Sequence, residues 1–248
     1  MFVFPLVVAV IALIFGGTVL GQWSQRRRRQ QLLWGLSLLM AAAAALAYVG
    51  FLNTGSELLF RVYYIFGALL NAAYLGMGSL YLVLSRRVGD LVLSVLAILS
   101  AIGVALILVA PVDLAKLHEL QLHSGPGTGV IKPGLWLALF IPHNIFGAVT
   151  VAAVAFYSAY KVGQRQAPRR FALANITIAL GVLVVSQAGS SARLGSPNLF
   201  WVTTAAGFVV IFAGFLLTTN LPTLVVGAPA RDAATGIPEP ASPPPTRR

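Results

Sequence analysis

The chain contains seven long apolar stretches without a charged residue, and this pattern limits its fold more than any other feature. The stretches cover residues 2–25, 30–56, 62–85, 91–112, 133–160, 171–192 and 194–219. Each offers about the 20 residues that a helix needs to cross the hydrocarbon core of a bilayer. Because lipid has no partner for a free backbone N–H or C=O, each stretch is predicted to be helical. We therefore expect an all-α integral membrane protein with seven transmembrane helices.

Lysine and arginine occur almost only in every second connection between these stretches. One predicted side carries Arg26, Arg27, Arg28, Arg29, Arg86, Arg87, Lys161, Arg165, Arg169, Arg170, Arg231, Arg247 and Arg248, and the other carries Arg61, Lys116, Lys132 and Arg193. The positive-inside rule places the richer side in the cytoplasm, with the N-terminus outside and the C-terminus inside. The first basic cluster follows the first apolar stretch, so that stretch is predicted to be a retained anchor and not a secretory signal.

The composition excludes several classes of protein. The chain is 58% hydrophobic and 9% charged, whereas a soluble domain has about a quarter of charged residues. The net charge of +11 follows from the topology, since each basic residue near an anionic leaflet gains about 1 kcal/mol. Membrane lipids, and not nucleic acid, are therefore the expected partners of the basic loops. The chain has no cysteine, which excludes disulfides, thiolate metal sites and cysteine nucleophiles.

Two segments lie outside the predicted membrane helices. In the outer loop, residues 113–132, Leu114, Leu117 and Leu120 share a face of a predicted short amphipathic surface helix. The rest of this loop, SGPGTGVIKPG, is rich in Gly and Pro and is predicted to be irregular. Residues 222–248 end in PEPASPPPTRR, which has too little apolar surface to offset the entropy of ordering. They are predicted to form a disordered, Pro-rich cytoplasmic tail.

The predicted transmembrane domain, residues 1–221, contains two similar segments. GSELLFRVYYIFG (55–67) and GSPNLFWVTTAAG (195–207) share Gly, Ser, Leu, Phe, Val and Gly at matching places. Each opens an outside-to-inside span, and the first span of each group of three carries a proline, Pro5 or Pro142. These matches predict a 3+1+3 plan of two parallel repeats, with chance similarity between apolar helices as the alternative. The predicted units are repeat one at 1–88, a linker helix at 89–112, the outer loop at 113–132 and repeat two at 133–221.

Small residues at four-residue spacing predict close helix packing in two spans. Gly17 and Gly21 form a GxxxG in the first span, and Ala68, Ala72 and Gly76 form a stripe in the third. Such faces let helix backbones approach each other closely. Nearly every multi-span protein needs such contacts, so they carry no functional assignment.

The predicted spans contain no Asp, Glu or Lys at depth. This argues against a proton-coupled carrier, an intramembrane aspartyl protease and a microbial rhodopsin with its Schiff-base lysine. Ceramidase-like hydrolases need several His and an Asp, and the spans offer one His. On the outer loop His118 and His123 are five residues apart, a spacing that suits a helical metal site poorly. The sequence thus indicates no enzyme, no catalytic residue, no cofactor and no metal.

Six polar residues toward the outer half of the membrane are the predicted ligand-binding set. They are Arg61, Tyr64, Asn71, His143, Asn144 and Gln187. Tyr64 and Asn71 are one heptad apart, so both project from similar sides of the third span. Together with His143 and Asn144 they would line an outward-opening cavity between the repeats. The alternative for each residue is a hydrogen bond between helices, worth roughly 0.6 kcal/mol.

Two of these residues have further alternatives. His143 follows Pro142, where the helix is predicted to kink. It is either a ligand contact, an axial haem ligand without a second one in the membrane, or a neutral imidazole bonded to a neighbouring helix. Arg61 lies one turn after Glu57, which suits an ion pair of about 0.5 kcal/mol. Its side chain would then extend to the interface or contact a substrate.

Two long segments carry a resemblance to known families. LLFRVYYIFGALLNAAYLGMGSLYLVLSRR and NITIALGVLVVSQAGSSARLGSPNLFWVTTAAGFVVIFAGFLL resemble a family of uncharacterised seven-transmembrane proteins from actinobacteria and related bacteria. That resemblance implies a bacterial cytoplasmic membrane and brings no assigned activity. The 3+1+3 plan is also loosely similar to the SWEET and PQ-loop sugar carriers, whose repeat proline is matched by Pro5 and Pro142. Leu6 and His143 stand where those carriers have glutamine.

The sequence therefore predicts a non-enzymatic membrane protein that binds or transports a neutral or amphipathic small molecule. This prediction depends on the repeat and on a polar cluster that lacks acidic residues. The alternative is a structural or sensory subunit that acts through a protein partner at its cytoplasmic face, with the basic loops and the tail as docking surfaces.

Overall fold

The computed structural model describes residues 2–164, 169–193 and 199–219, and its regular elements within these ranges are all helices. The elements are α1 (Val3–Arg26), α2 (Arg29–Thr54), α3 (Glu57–Tyr63), a π-helix (Tyr64–Leu70), α4 (Asn71–Leu80), α5 (Arg86–Val109), α6 (Leu114–His123), α7 (Leu137–Gln164), α8 (Arg169–Arg193) and α9 (Leu199–Thr219). The π-helix joins α3 to α4 in one continuous rod, Glu57–Leu80, which we call the α3–α4 rod.

The predicted all-α class is confirmed. Within the described ranges, six helices are long and apolar enough to cross a membrane: α1, α2, the α3–α4 rod, α5, α7 and α9. The sixth predicted span corresponds to α8, whose apolar segment, Leu173–Ala188, is shorter. The predicted disordered tail at residues 222–248 lies outside the described residues.

Six of these rods form a closed ring. Each of α1, α2, the α3–α4 rod, α7, α8 and α9 packs against the next in this order, and α9 packs back against α1. Helix α5 lies outside the ring against the α3–α4 rod and α7. Most of its surface is exposed, including Leu91, Ile98 and Val109, as expected for a helix surrounded by lipid. The ring therefore encloses a central space to which α5 does not contribute.

The small-residue stripe in the α3–α4 rod makes the closest helix contact with α7. A Cβ added at Gly76 would lie 2.8 Å from Gly147 Cα, and one added at Gly147 would overlap the Ala72 carbonyl group. Ala72 and Gly76 thus confirm the predicted close packing. The prediction for Gly17 and Gly21 is wrong, since a Cβ at either position would meet nothing within 4 Å. In α1 the neighbouring Gly16 faces α2 instead, and a Cβ added there would lie 3.2 Å from Leu38 Cβ.

The predicted surface helix and irregular loop are both confirmed between α5 and α7. Helix α6 begins at Asp113, whose side chain accepts a hydrogen bond from Lys116 N, and it buries Leu117 and Leu120 while Leu114 is 67% exposed. After α6 the chain turns at glycines with positive φ, such as Gly127 (φ 74°) and Gly129 (φ 79°). An antiparallel bridge between Val112 and Ile131 joins the two ends of the segment that contains α6 and the glycine-rich loop.

Candidate ligand cavity

The ring surrounds a cavity of about 600 Å³, within the range of about 300–1,000 Å³ typical of small-molecule sites. All six rods of the ring contribute to its wall. The described wall residues are mostly apolar and include no charged side chain. The polar and aromatic-polar ones are Trp34, Tyr63, Tyr64, Asn71, Ser79, Thr128, Asn144, Ser186, Trp201 and Thr204.

The cavity is covered at the end of the ring that faces α6, which we call the loop end. Pro126 and Thr128 of the glycine-rich loop line the cavity there. The Tyr48 hydroxyl accepts a hydrogen bond from Gly125 N and donates one to Gly125 O, both at 2.8 Å. The Tyr63 hydroxyl donates to Pro126 O at 3.1 Å. Two buried tyrosines of the ring therefore hold the loop over the cavity.

The opposite end of the ring carries exposed arginines such as Arg28 and Arg87, and we call it the basic end. On this side of the cavity, Trp34 of α2 donates from Nε1 to Ser79 Oγ at 3.2 Å. Both residues line the wall, and the Trp34 ring packs so closely on Gly78 that a Cβ there would lie 2.4 Å from Cδ1. This contact joins α2 to the α3–α4 rod below the cavity.

The π-helix forms the most polar part of the wall. Its wider turn alters the i→i−4 hydrogen-bond ladder, and such turns are frequent at functional sites. Asn144 Nδ2 of α7 donates to Ala68 O within the π-helix at 2.8 Å. The Ser37 hydroxyl of α2 lies 2.8 Å from Asn71 O and 3.0 Å from Asn71 Oδ1, and donates toward both. Neighbouring helices thus satisfy carbonyls at the end of the π-helix.

Asn71 and Asn144, which we call the asparagine pair, offer complementary atoms to the cavity. Asn144 Nδ2 is used by Ala68 O and by Phe140 O at 2.9 Å, whereas its Oδ1 accepts from no described residue. Asn71 Oδ1 accepts from Ser37, whereas its Nδ2 donates to no described residue. Both side chains line the wall. The pair therefore presents one donor and one acceptor, the two functions that a hydroxyl group combines.

Tyr64 also lines the cavity, as the sequence predicted. Its ring is 8% exposed and stacks on Phe140 of α7, with ring centroids 5.6 Å apart and planes at 18°. Tyr63, the adjacent residue, contacts Trp201 with centroids 5.9 Å apart. Aromatic rings thus form the wall between the asparagine pair and the loop end.

Arg61 lies outside the cavity wall and holds α5 in place. Its side chain forms the predicted ion pair with Glu57, with Nη2 2.6 Å from Oε1. The residue is only 9% exposed. The guanidinium also donates to Ile107 O and, at 2.8 Å, to Ala110 O. These carbonyls end α5 and have no partner within the helix, so a buried cation satisfies them.

His143 points toward α5 as well. The residue is 3% exposed and lies outside the cavity wall. Its Nδ1 is 2.8 Å from Leu139 O and therefore donates, which leaves Nε2 to accept from the Ser100 hydroxyl at 3.1 Å. Of the three interpretations left by the sequence, this geometry matches the neutral imidazole bonded to a neighbouring helix.

Gln187 is exposed on α8 and lies outside the cavity wall. Its neighbour Ser186 lines the wall and donates to Val182 O at 2.9 Å. The structure thus brings Tyr64, Asn71 and Asn144 together and separates Arg61, His143 and Gln187 from them. Sequence reasoning missed Ser37 and Trp34 of α2, although a serine and a tryptophan three residues apart share a helix face.

Comparisons with protein-family models, with curated proteins and with solved structures give no significant match for this chain. The resemblance to actinobacterial seven-transmembrane proteins stays a prediction made from the residues.

Proposed function

We propose that this chain is a seven-helix protein of the bacterial cytoplasmic membrane that binds or transports a neutral or amphipathic small molecule in the cavity. The observation that carries the proposal is that the described wall residues carry no charge and include the asparagine pair. An ionised ligand would need a buried counter-charge, because desolvating a lone charge is very costly. A neutral ligand needs only apolar contact and a few oriented hydrogen bonds.

The proposed orientation has the N-terminus outside and the basic end in the cytoplasm. Exposed arginines gather at one end, among them Arg27, Arg28, Arg86 and Arg87, whereas α6 and its loop cover the other. The positive-inside rule then makes the loop end external. In this orientation α8 is the sixth of the seven spans, and its shorter apolar segment is shielded by tight packing on α9, where a Cβ at Gly207 would lie 3.0 Å from Gly181 O.

Two features of the ring support the proposed parallel repeat. The contact between the α3–α4 rod and α7 has its counterpart in the contact between α9 and α1, as two three-helix units arranged head to tail require. Gly67 and Gly207, which end the two similar segments, both face the preceding helix closely, and a Cβ at Gly67 would lie 3.0 Å from Ala44 Cβ. Binding sites between repeats are common in transporters.

The asparagine pair gives the decisive experiment. Native mass spectrometry of gently purified protein identifies what co-purifies, and its affinity is then measured for Asn71→Leu. We expect affinity to fall about tenfold, the effect of one lost hydrogen bond of about 1.4 kcal/mol. The control is Asn53→Leu, since Asn53 is exposed and bonds only to Val49 O. Equal affinity in the two variants contradicts the proposed site, and no bound ligand in any preparation favours a subunit that acts through protein partners.

A further inference from the structure

Exposed residues of the cavity wall concentrate on two neighbouring helices of the ring. Of the described wall residues, four are exposed: Thr128, Ile141, Ile145 and Ser186. Thr128 belongs to the loop, whose outer surface faces water. The other three lie on α7 and α8, which are neighbours in the ring. Ile141 and Ile145 are 50% and 58% exposed although they line the cavity.

These three residues lie in the loop-end halves of their helices. Ile145 is eight residues from Leu137, where α7 begins, and Ser186 is seven residues before Arg193, where α8 ends. At 1.5 Å per residue both positions are about 11 Å from the loop end of their helices. Farther toward the basic end the seam closes, because Val151 of α7 and Val182 of α8 are 5% and 7% exposed. Among the described wall residues of α7 and α8, the exposed ones therefore lie in the loop-end halves.

Two of the other seams carry side-chain contacts at the cavity. Between α9 and α1 the rings of Phe15 and Phe215 lie 4.6 Å apart. Between the α3–α4 rod and α7 the seam is sealed by the hydrogen bond from Asn144 to Ala68 and by the stack of Tyr64 on Phe140. At these two seams the wall is packed, in contrast to the exposed isoleucines of α7.

We propose that Ile141, Ile145 and Ser186 flank a gap between α7 and α8. This gap is a lateral portal through which a hydroxyl-bearing aliphatic amphiphile enters the cavity from the bilayer. The inference rests on the proposed function and names its substrate class. Exposed isoleucines at this depth face hydrocarbon, so a molecule that crosses the portal is one dissolved in the membrane. Asn144 lies between Ile141 and Ile145 in α7 and lines the same wall.

The asparagine pair defines the head group that the portal admits. A hydroxyl can accept from Asn71 Nδ2 and donate to Asn144 Oδ1, and these two atoms have no other partner among the described residues. The other described residues of the wall are mostly apolar or aromatic, which suits an aliphatic chain. Since the wall residues that the structure describes include no charged side chain, an anionic or cationic head group would lose its hydration without compensation.

The lack of cysteine in the native chain permits a test with single-cysteine variants. Ile145→Cys and Val149→Cys each receive a benzyl methanethiosulfonate group, which reducing agent removes. Val149 is the matched control, because it lies one turn along α7, is 59% exposed and does not line the cavity. The probe is hexadecanol that carries a diazirine, delivered from vesicles to protein in proteoliposomes, and the rate of photolabelling of cavity peptides is measured.

We expect modification at position 145 to slow labelling about tenfold and modification at position 149 to leave the rate within about twofold, because only the former raises the entry barrier. Labelling at long times stays unchanged in both. Equal rates for the two modified variants overturn the portal and leave the cavity intact as a binding site. An absence of saturable labelling in unmodified protein overturns the proposed function, and the portal with it.

Discussion

His143 Nε2 lies 3.1 Å from the Ser100 hydroxyl, so the single histidine among the described membrane helices joins α7 to α5 and does not face the cavity. Arg61 joins the α3–α4 rod to the end of the same helix. Two side chains that the sequence marked as possible ligand contacts thus attach α5, the membrane helix that lies outside the ring. Their polarity serves assembly, and the ligand contacts are left to uncharged amides and aromatic rings.

The pair of Ser100 and His143 yields a first prediction. Ser100→Ala and His143→Ala are each expected to lower the free energy of unfolding by about 1 kcal/mol. Their coupling in a double-mutant cycle is expected to be roughly 0.6 kcal/mol. Ligand affinity should not change, because neither residue lines the cavity. A loss of affinity in a well-folded His143→Ala protein would show that the imidazole contacts ligand.

Arg61 is expected to be far more sensitive than its ion-pair partner. Arg61→Leu removes the donors to Ile107 O and Ala110 O and leaves these buried carbonyls unsatisfied, at a cost of about 3 kcal/mol. Glu57→Gln should cost under about 1 kcal/mol, because the Glu57 side chain is 43% exposed. Denaturant unfolding in detergent measures both. Hydrogen exchange of α5 should rise in Arg61→Leu, and equal stability of the two variants would contradict the anchoring role.

Two glycine substitutions should have opposite effects. Gly147→Ala places a methyl group against the Ala72 carbonyl group and should destabilise the protein by roughly 1–3 kcal/mol. Gly21→Ala meets open space and should be neutral or stabilising by up to about 1 kcal/mol, since alanine favours a helix over glycine. Thermal unfolding of the two variants compares them directly. A destabilised Gly21→Ala would reveal a helix contact at the GxxxG.

The hold of Tyr48 on the loop can be measured by hydrogen exchange. Tyr48→Phe removes the hydroxyl that bonds both polar groups of Gly125. Loss of about 1 kcal/mol should raise exchange in residues 124–130 about fivefold. The exposed Tyr157 at the basic half of α7 is the control, and Tyr157→Phe should leave exchange of the loop unchanged. Equal exchange of the loop in wild type and Tyr48→Phe would contradict the proposal that Tyr48 holds the loop in place.

Orientation can be tested by labelling from one side of the membrane. In the cysteine-free chain, His123→Cys of the loop end and Arg87→Cys of the basic end are both at exposed positions. An impermeant maleimide added to intact cells should modify His123→Cys only, and Arg87→Cys should react after permeabilisation. The reverse pattern would invert the proposed topology.

Hydropathy and local spacing predicted the parts of the fold that depend on the chain alone. Helix α5, expected at 91–112, spans Arg86–Val109, and the pair Glu57 and Arg61 forms at i,i+4 as expected. The irregular course after α6 follows from Gly125, Gly127 and Gly129, which all adopt positive φ. Hydrophobicity and local backbone geometry determine these features, and both can be recognised directly in the sequence.

Partner choice between helices could not be predicted in the same way. Lipid tails are as apolar as a helix interior, so hydropathy does not tell which face of a span meets another helix. Gly17 and Gly21 were therefore predicted to contact another helix, but a Cβ at either position would meet nothing within 4 Å. Gly147 was not predicted to contact a helix, yet it packs closely on the α3–α4 rod. The same reason hid the position of α5 outside the ring and the turn of His143 away from the cavity.

The crossing of Gly76 and Gly147 also limits how the two halves of the ring can move. Backbone meets backbone there, and no flexible side chain lies between them to absorb a sliding motion. We expect the α3–α4 rod and α7 to pivot about this contact, with little change in the distance between the two helices there. Widening on the side of the asparagine pair would then be matched by narrowing beyond the crossing.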